Sequence, residues 1–115
     1  MQLIGYKKCS TCGEIEKLLK EKNIPYSYRE INKETPSPSE LKDLHERSGL
    51  DIQKFFNSSG RVYRELKLKD KLKNMDLEEK YELLASDGML IKRPILVMED
   101  KVFVGPQVKK YLLEK

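Results

Sequence analysis

Cys9 and Cys12 are the only cysteines in the 115-residue chain, and they stand in the run Lys8-Cys9-Ser10-Thr11-Cys12-Gly13. A C-x-x-C that follows a short apolar run and opens a helix is a redox arrangement more often than a metal site. Sulfur reacts as the thiolate, and a helix N-terminus stabilises that anion. Two thiols at this spacing can close into a disulfide, one attacking and the other resolving. Cys9 precedes the helix and can reach solvent, so it is the expected nucleophile. Cys12 falls one turn inside and is the expected resolving thiol. Lys7, Lys8 and the helix dipole should favour the Cys9 anion, with Glu14 opposing them. The hydroxyls of Ser10 and Thr11 are suited to capping exposed helix N–H groups. Two other readings stay open: a pair of buried structural thiols, or zinc. A closed zinc site needs four ligands, and His45 is the only histidine.

The elements around the pair follow from periodicity. Gln2 to Tyr6 reads as a short buried strand. Ile15, Leu18 and Leu19 form an i, i+3, i+4 stripe on a helix ended by Asn23-Ile24-Pro25. Tyr26 to Ile31 alternates as a second strand, with Tyr26, Tyr28 and Glu30 on one face, which completes β-α-β. Ser37, Pro38 and Glu40 form a capping-box start for a helix buried through Leu41 and Leu44 and stopped by Ser48-Gly49. Asp51 caps a short helix leading to Phe55-Phe56, and Asn57 to Gly60 is a turn. Arg61 to Leu66 reads as helical with Val62 and Leu66 inward. Asp76 caps a helix whose stripe is Leu77, Tyr81, Leu84 and Ala85, closed by Asp87-Gly88. Ile95 to Met98 and Val102 to Val104 form a hairpin. Gly105-Pro106 starts a last helix with Val108, Tyr111 and Leu112 inward. Phe55 and Phe56 read as core or as a lid packing toward the active cleft, Tyr63, Tyr81 and Tyr111 as core, and His45 as a non-catalytic residue of the central helices.

Composition excludes several classes. Hydrophobic residues make up 38% and charged residues 37%, which suits one soluble globular domain spanning 1–115. No apolar stretch approaches the roughly 20 residues of a membrane helix, and no export signal is visible. A cytoplasmic monomer is expected, in which any disulfide is catalytic or sensory. The net charge of +4 comes from 23 basic and 19 acidic residues that are interspersed. That pattern reads as a solvated surface, without the clustered aromatic and basic residues of direct nucleic-acid binding. The basic run from Arg61 to Lys73, interrupted by Glu65 and Asp70, keeps a protein-docking face in view.

A β-α-β unit, a block of helices and a β-β-α unit make an α/β, thioredoxin-like layout, with its core in 1–31 and 90–115 and a helical insertion in 37–88. Three stretches narrow it: Tyr6 to Cys12; Phe56-Asn57-Ser58-Ser59-Gly60 with Tyr63 and Leu66 to Leu68; and Leu90-Ile91-Lys92-Arg93-Pro94. With them the whole chain resembles the family that joins glutaredoxin-coupled arsenate reductases with the Spx transcriptional regulators. The resemblance implies that Pro94 is a cis proline packed opposite the active cysteine and shaping the substrate groove, bordered by Lys8, Ser10 and Thr11. It also implies that the Arg93 guanidinium faces Cys9, favouring the thiolate and holding an oxyanion or carboxylate.

Relative to the reductases, Asn57 stands where an arginine is expected and Gly105-Pro106 where another belongs, with Arg61, Arg64 and Lys92 as possible substitutes. Cys12 offers an internal resolving thiol that those reductases lack. The expected activity is thiol–disulfide exchange on an oxidised thiol, or an oxyanion, with no bound cofactor or metal. The reductant would be external: glutathione, a bacillithiol-type thiol, thioredoxin or glutaredoxin. Two alternatives remain: a redox-switched regulator binding the RNA polymerase α subunit, and an arsenate reductase coupled to glutaredoxin.

Overall fold

The computed structural model describes residues Met1–Lys115. A four-stranded sheet runs in the order β2-β1-β3-β4, from β1 (Gln2–Gly5), β2 (Ser27–Glu30), β3 (Ile95–Val97) and β4 (Val102–Val104). β1 and β2 are parallel, joined by the crossover helix α1 (Ser10–Glu21). β3 pairs antiparallel with β1 and with β4, the latter as the expected hairpin. The mixed α/β sheet and its helices have the thioredoxin-like arrangement the sequence suggested.

Alternation along the strands builds two cores. Leu3 and its register partner Leu96 face α1 and α6 (Pro106–Glu114), packing with Ile15, Leu19, Val108 and Leu112. Ile4, Ile95 and Val104 face the other way, into the helices between β2 and β3. There α2 (Pro38–Ser48) packs on α5 (Leu77–Ser86), burying Leu41, Leu44, Tyr81 and Leu84. Both helices start at the foreseen caps; Ser37 forms the expected capping box with Glu40, and Asp76, expected as a cap alone, also forms one with Glu79. No helix is long and apolar enough to cross a membrane.

Two local expectations change and one element is added. In α3 (Arg61–Glu65) the inward residue is Tyr63, while Leu66 is 41% exposed and Val62 only partly covered. One turn of helix meets its neighbours through a single large ring there. Leu77, at the first position of α5, is 43% exposed. α4 (Leu68–Lys71), with the 3-10 turn after it, arises in a stretch where charge hides the pattern, and only Leu68 and Leu72 turn inward. His45 is a structural joint: its Nδ1 lies 2.6 Å from the Tyr81 hydroxyl and its Nε2 2.9 Å from the Leu50 carbonyl.

The stretch that carries Arg93 is fixed from the side. Phe56 bridges Ile91, the Asn57 N–H donates to the Leu90 carbonyl at 2.7 Å, and the Lys92 N–H donates to the Phe55 carbonyl at 2.8 Å. Residues 55–57 thus act as a short added strand that brings the Asn57–Gly60 turn and Arg93 to one end of the sheet.

Candidate active site

β1 ends at Gly5, and a tight turn through Lys7 and Lys8 leads into α1. The Cys9 N–H closes that turn on the Tyr6 carbonyl at 2.9 Å. Cys9 has extended backbone angles (φ −88°, ψ 120°) and is the N-cap of α1. Ser10 and Thr11 are therefore the first two helical residues, exposed in the first turn. They do not cap the helix as the sequence suggested, because the turn assigns that position to the cysteine. The resting thiol closes no capping hydrogen bond, although the Thr11 and Cys12 N–H groups favour its anion.

Burial acts to raise the Cys9 pKa, but it is outweighed. The Cys12 N–H, the Cys12 thiol, the Arg93 guanidinium and the Thr11 N–H all favour the anion and bring the pKa below its ordinary 9.0. Cys12 is 1% exposed. Burial pushes its thiol up to about 12, helped by the hydrogen bond it makes to Cys9 and by the Cys9 charge, against lowering by the Tyr6 N–H and Arg93. The Tyr6 N–H reaches the Cys12 sulfur at 3.5 Å. The two cysteines lie close together and both are free thiols in this structure.

The basic residues flanking the pair do not act as expected. The Lys7 ammonium is drawn to Glu16 at 3.2 Å and to the Tyr28 ring at 3.9 Å, and Glu14 pairs with Lys109 at 3.4 Å. Lys8 is exposed at the turn. The cation that bears on Cys9 is Arg93, set over the Tyr6 ring at 5.5 Å. Its Nη1 is buried and has no hydrogen-bond partner. The following Arg93–Pro94 peptide is cis.

Beside Arg93 opens a cavity of about 320 Å³ lined by Asn57, Gly60, Arg61, Val62, Met89 and Arg93. Of the suggested substitute cations, only Arg61 shares it, and its 80% exposed side chain pairs with Glu65. Lys92 lines a different cavity of about 460 Å³, near the start of α6, and its stem lies against Gly105. No group of three His, Cys, Asp or Glu side chains is placed to hold a metal ion.

Sequence reasoning missed Gly5 and Tyr28. A Cβ at Gly5 would lie 2.9 Å from the Tyr28 hydroxyl oxygen and 3.1 Å from the Cys12 sulfur. Gly5 is thus what lets α1 seat Cys12 against β1. The one signal in the sequence was a glycine ending an apolar strand just before the C-x-x-C.

Residues 4–112 match the ArsC family. The chain belongs to the ArsC family. The uncharacterized protein YusI of Bacillus subtilis is 53% identical over 100 residues, covering 87% of this chain and 85% of that protein. The regulatory protein MgsR of Bacillus subtilis is 29% identical over 101 residues, covering 88% of this chain and 79% of that protein. A crystal structure of a putative ArsC family related protein from Bacteroides fragilis superposes with a TM-score of 0.90 at 46% identity. It covers 96% of this chain and 95% of that chain.

Proposed function

We propose that this ArsC-family chain is a cytoplasmic thiol–disulfide reductase. The Cys9 thiolate attacks an oxidised thiol of the substrate, its electron pair forming the new S–S bond while the departing sulfur leaves as a thiolate. Cys12 then attacks the Cys9 sulfur, releases the second substrate thiol and leaves a Cys9–Cys12 disulfide. An external thiol of the glutathione or bacillithiol type, or a thioredoxin or glutaredoxin, reduces that disulfide. Arg93 balances the charge on Cys9, and Pro94 with Lys8, Ser10 and Thr11 borders the approach to it. The observation that supports this reading is a partly exposed Cys9 at the N-cap of α1 beside a buried Cys12, with the Arg93 guanidinium favouring the Cys9 anion.

The test is capture. With Cys12→Ser and a small neutral disulfide, mass spectrometry should find a stable adduct on Cys9, whereas wild type should pass through it to the internal disulfide. Absence of any adduct on Cys9 refutes the reading. Arsenate turnover by Cys12→Ser with glutaredoxin present would instead favour an arsenate reductase, for which Arg61 and Arg93 lining one cavity supply the cations.

A second reading has support in the likeness to MgsR, a regulatory protein. In it, closing the Cys9–Cys12 bond alters a surface that binds the RNA polymerase α subunit. Capture of the α subunit by the oxidised form and not by the reduced form would replace the enzyme reading with this one.

A further inference from the structure

Tyr28 carries a buried hydroxyl with no hydrogen-bond partner. Leaving such a group unpaired is costly, and phenylalanine would fill the same space without that cost. Its surroundings give it a use. Tyr28 is the register partner of Leu3 on the face of the sheet that α1 covers, and Cys12 comes down from α1 onto the same face. The hydroxyl oxygen and the Cys12 sulfur flank one point, the missing Cβ of Gly5, at 2.9 and 3.1 Å. Lys7 lies over the ring at 3.9 Å and holds it from outside. The neighbouring tyrosine contrasts with it: the Tyr26 hydroxyl donates to Glu16 at 2.8 Å.

We propose that Tyr28 is the hydrogen-bond donor that steadies the Cys12 sulfur as it becomes an anion in the resolving step. This rests on the two-thiol reading above. In the step, Cys12 S–H gives up its proton and its electron pair attacks the sulfur of Cys9 in the mixed disulfide Cys9–S–S–R. The bond between the Cys9 sulfur and the substrate sulfur breaks, and RS⁻ leaves with the bonding pair and takes up the proton. Tyr28 lends a hydrogen bond and keeps its own proton throughout. Burial, followed by the negative charge that Cys12 acquires, holds the phenol protonated well above its ordinary range, so it remains a donor when the sulfur ionises.

The experiment uses the full chain and neutral dithiodipyridine as the probe. Attack by Cys9 releases one coloured thiopyridone, and resolution by Cys12 releases the second, so the two steps are separate phases of one stopped-flow trace. Tyr28→Phe should leave the first phase unchanged and slow the second about tenfold, as expected for loss of a hydrogen bond to a charged group. The pH profile of that second phase should move to higher pH. Tyr26→Phe should alter neither phase. Because the hydroxyl has no partner at rest, Tyr28→Phe should melt no lower than wild type. An unchanged second phase, an equal slowing of both phases, or a marked fall in melting temperature each overturns the assignment. Release of a single thiopyridone by wild type overturns the two-thiol reading itself, and this assignment with it.

Discussion

Replacing Arg93 by methionine removes the one full positive charge that bears on Cys9 while keeping the length of the side chain. What remains to favour the anion are the Cys12 and Thr11 N–H groups and the Cys12 thiol, against the opposing effect of burial. A hydrogen bond to an ionised partner contributes about 1.5–3 kcal/mol. Cys9 is partly exposed, so solvent screening argues for the lower end. About 1.4 kcal/mol is a tenfold change in population, so below the titration midpoint Arg93→Met should hold about tenfold less thiolate. The more basic sulfur is also the better nucleophile, and a Brønsted slope of about 0.4–0.5 returns roughly threefold of that loss. The first phase with dithiodipyridine should then be about threefold slower near neutral pH. Well above the midpoint the order reverses, and the variant is the faster of the two. Arg93→Lys, a cation without the planar fork, should fall between them. A pH–rate profile identical to wild type refutes the assignment of Arg93. So does a profile lowered by one factor at every pH, since that would mean Arg93 orders the turn rather than stabilising charge.

Three further outcomes test the scaffold. Gly88→Ala would place a Cβ 2.3 Å from the Ile31 carbonyl oxygen, a backbone atom that cannot step aside, and should cost at least about 1–3 kcal/mol in chemical denaturation. Gly13→Ala, in α1 with nothing within 4 Å, should instead stabilise by about 0.5–1 kcal/mol. The Arg29 guanidinium, bonded to Glu40 at 2.8 Å, holds that carboxyl below its ordinary 4.5 despite the opposing effect of burial. The folded-state pKa is the lower one, so this stabilisation is complete above the unfolded value and is lost as pH falls through the folded one. Below pH 4.5 the loss of stability should be shallower in Glu40→Gln, measured by denaturation at successive pH values.

Wherever structure is encoded locally, the sequence could be read directly. The capping box at Ser37, the cap at Asp76 and the stop at Gly49 involve residues within a few positions of each other, and all three stand as expected. The β-α-β opening and the hairpin follow from short apolar runs set between turn residues. Orientation failed where a helix is too short for a stripe: α3 buries Tyr63, and Leu66 faces solvent. At the site, Cys9, Cys12, Arg93 and Pro94 were legible from spacing and resemblance. The capping role of Cys9 was not, because Ser and Thr are the better N-caps by type and only the Tyr6 turn decides between them. Tyr28 was visible as one face of a strand. That this face meets Cys12 depends on strand register and on how closely α1 can approach Gly5.

The C-x-x-C spacing separates the two sulfurs chemically because it separates them along the helix. Cys9, at the N-cap, receives the N–H groups that no helical carbonyl uses. Cys12, three residues on, is turned onto the sheet and meets apolar surface. A thiol held near 12 is almost wholly protonated at neutral pH, which would make it a slow resolving group if its surroundings stayed fixed. They do not stay fixed. Burial is the largest cause of its high pKa, and the next that raise it are the hydrogen bond to Cys9 and the Cys9 charge. Once Cys9 is bonded to a substrate sulfur, its charge is gone and both of those contributions go with it. The Tyr6 N–H and Arg93 continue to favour the Cys12 anion. In the proposed mechanism Cys12 therefore becomes more acidic when the mixed disulfide forms, which is when a second nucleophile is needed. On that reading the order of the two attacks is built into the helix start, and exchanging the roles of the cysteines would require moving the turn at Tyr6 rather than changing either thiol.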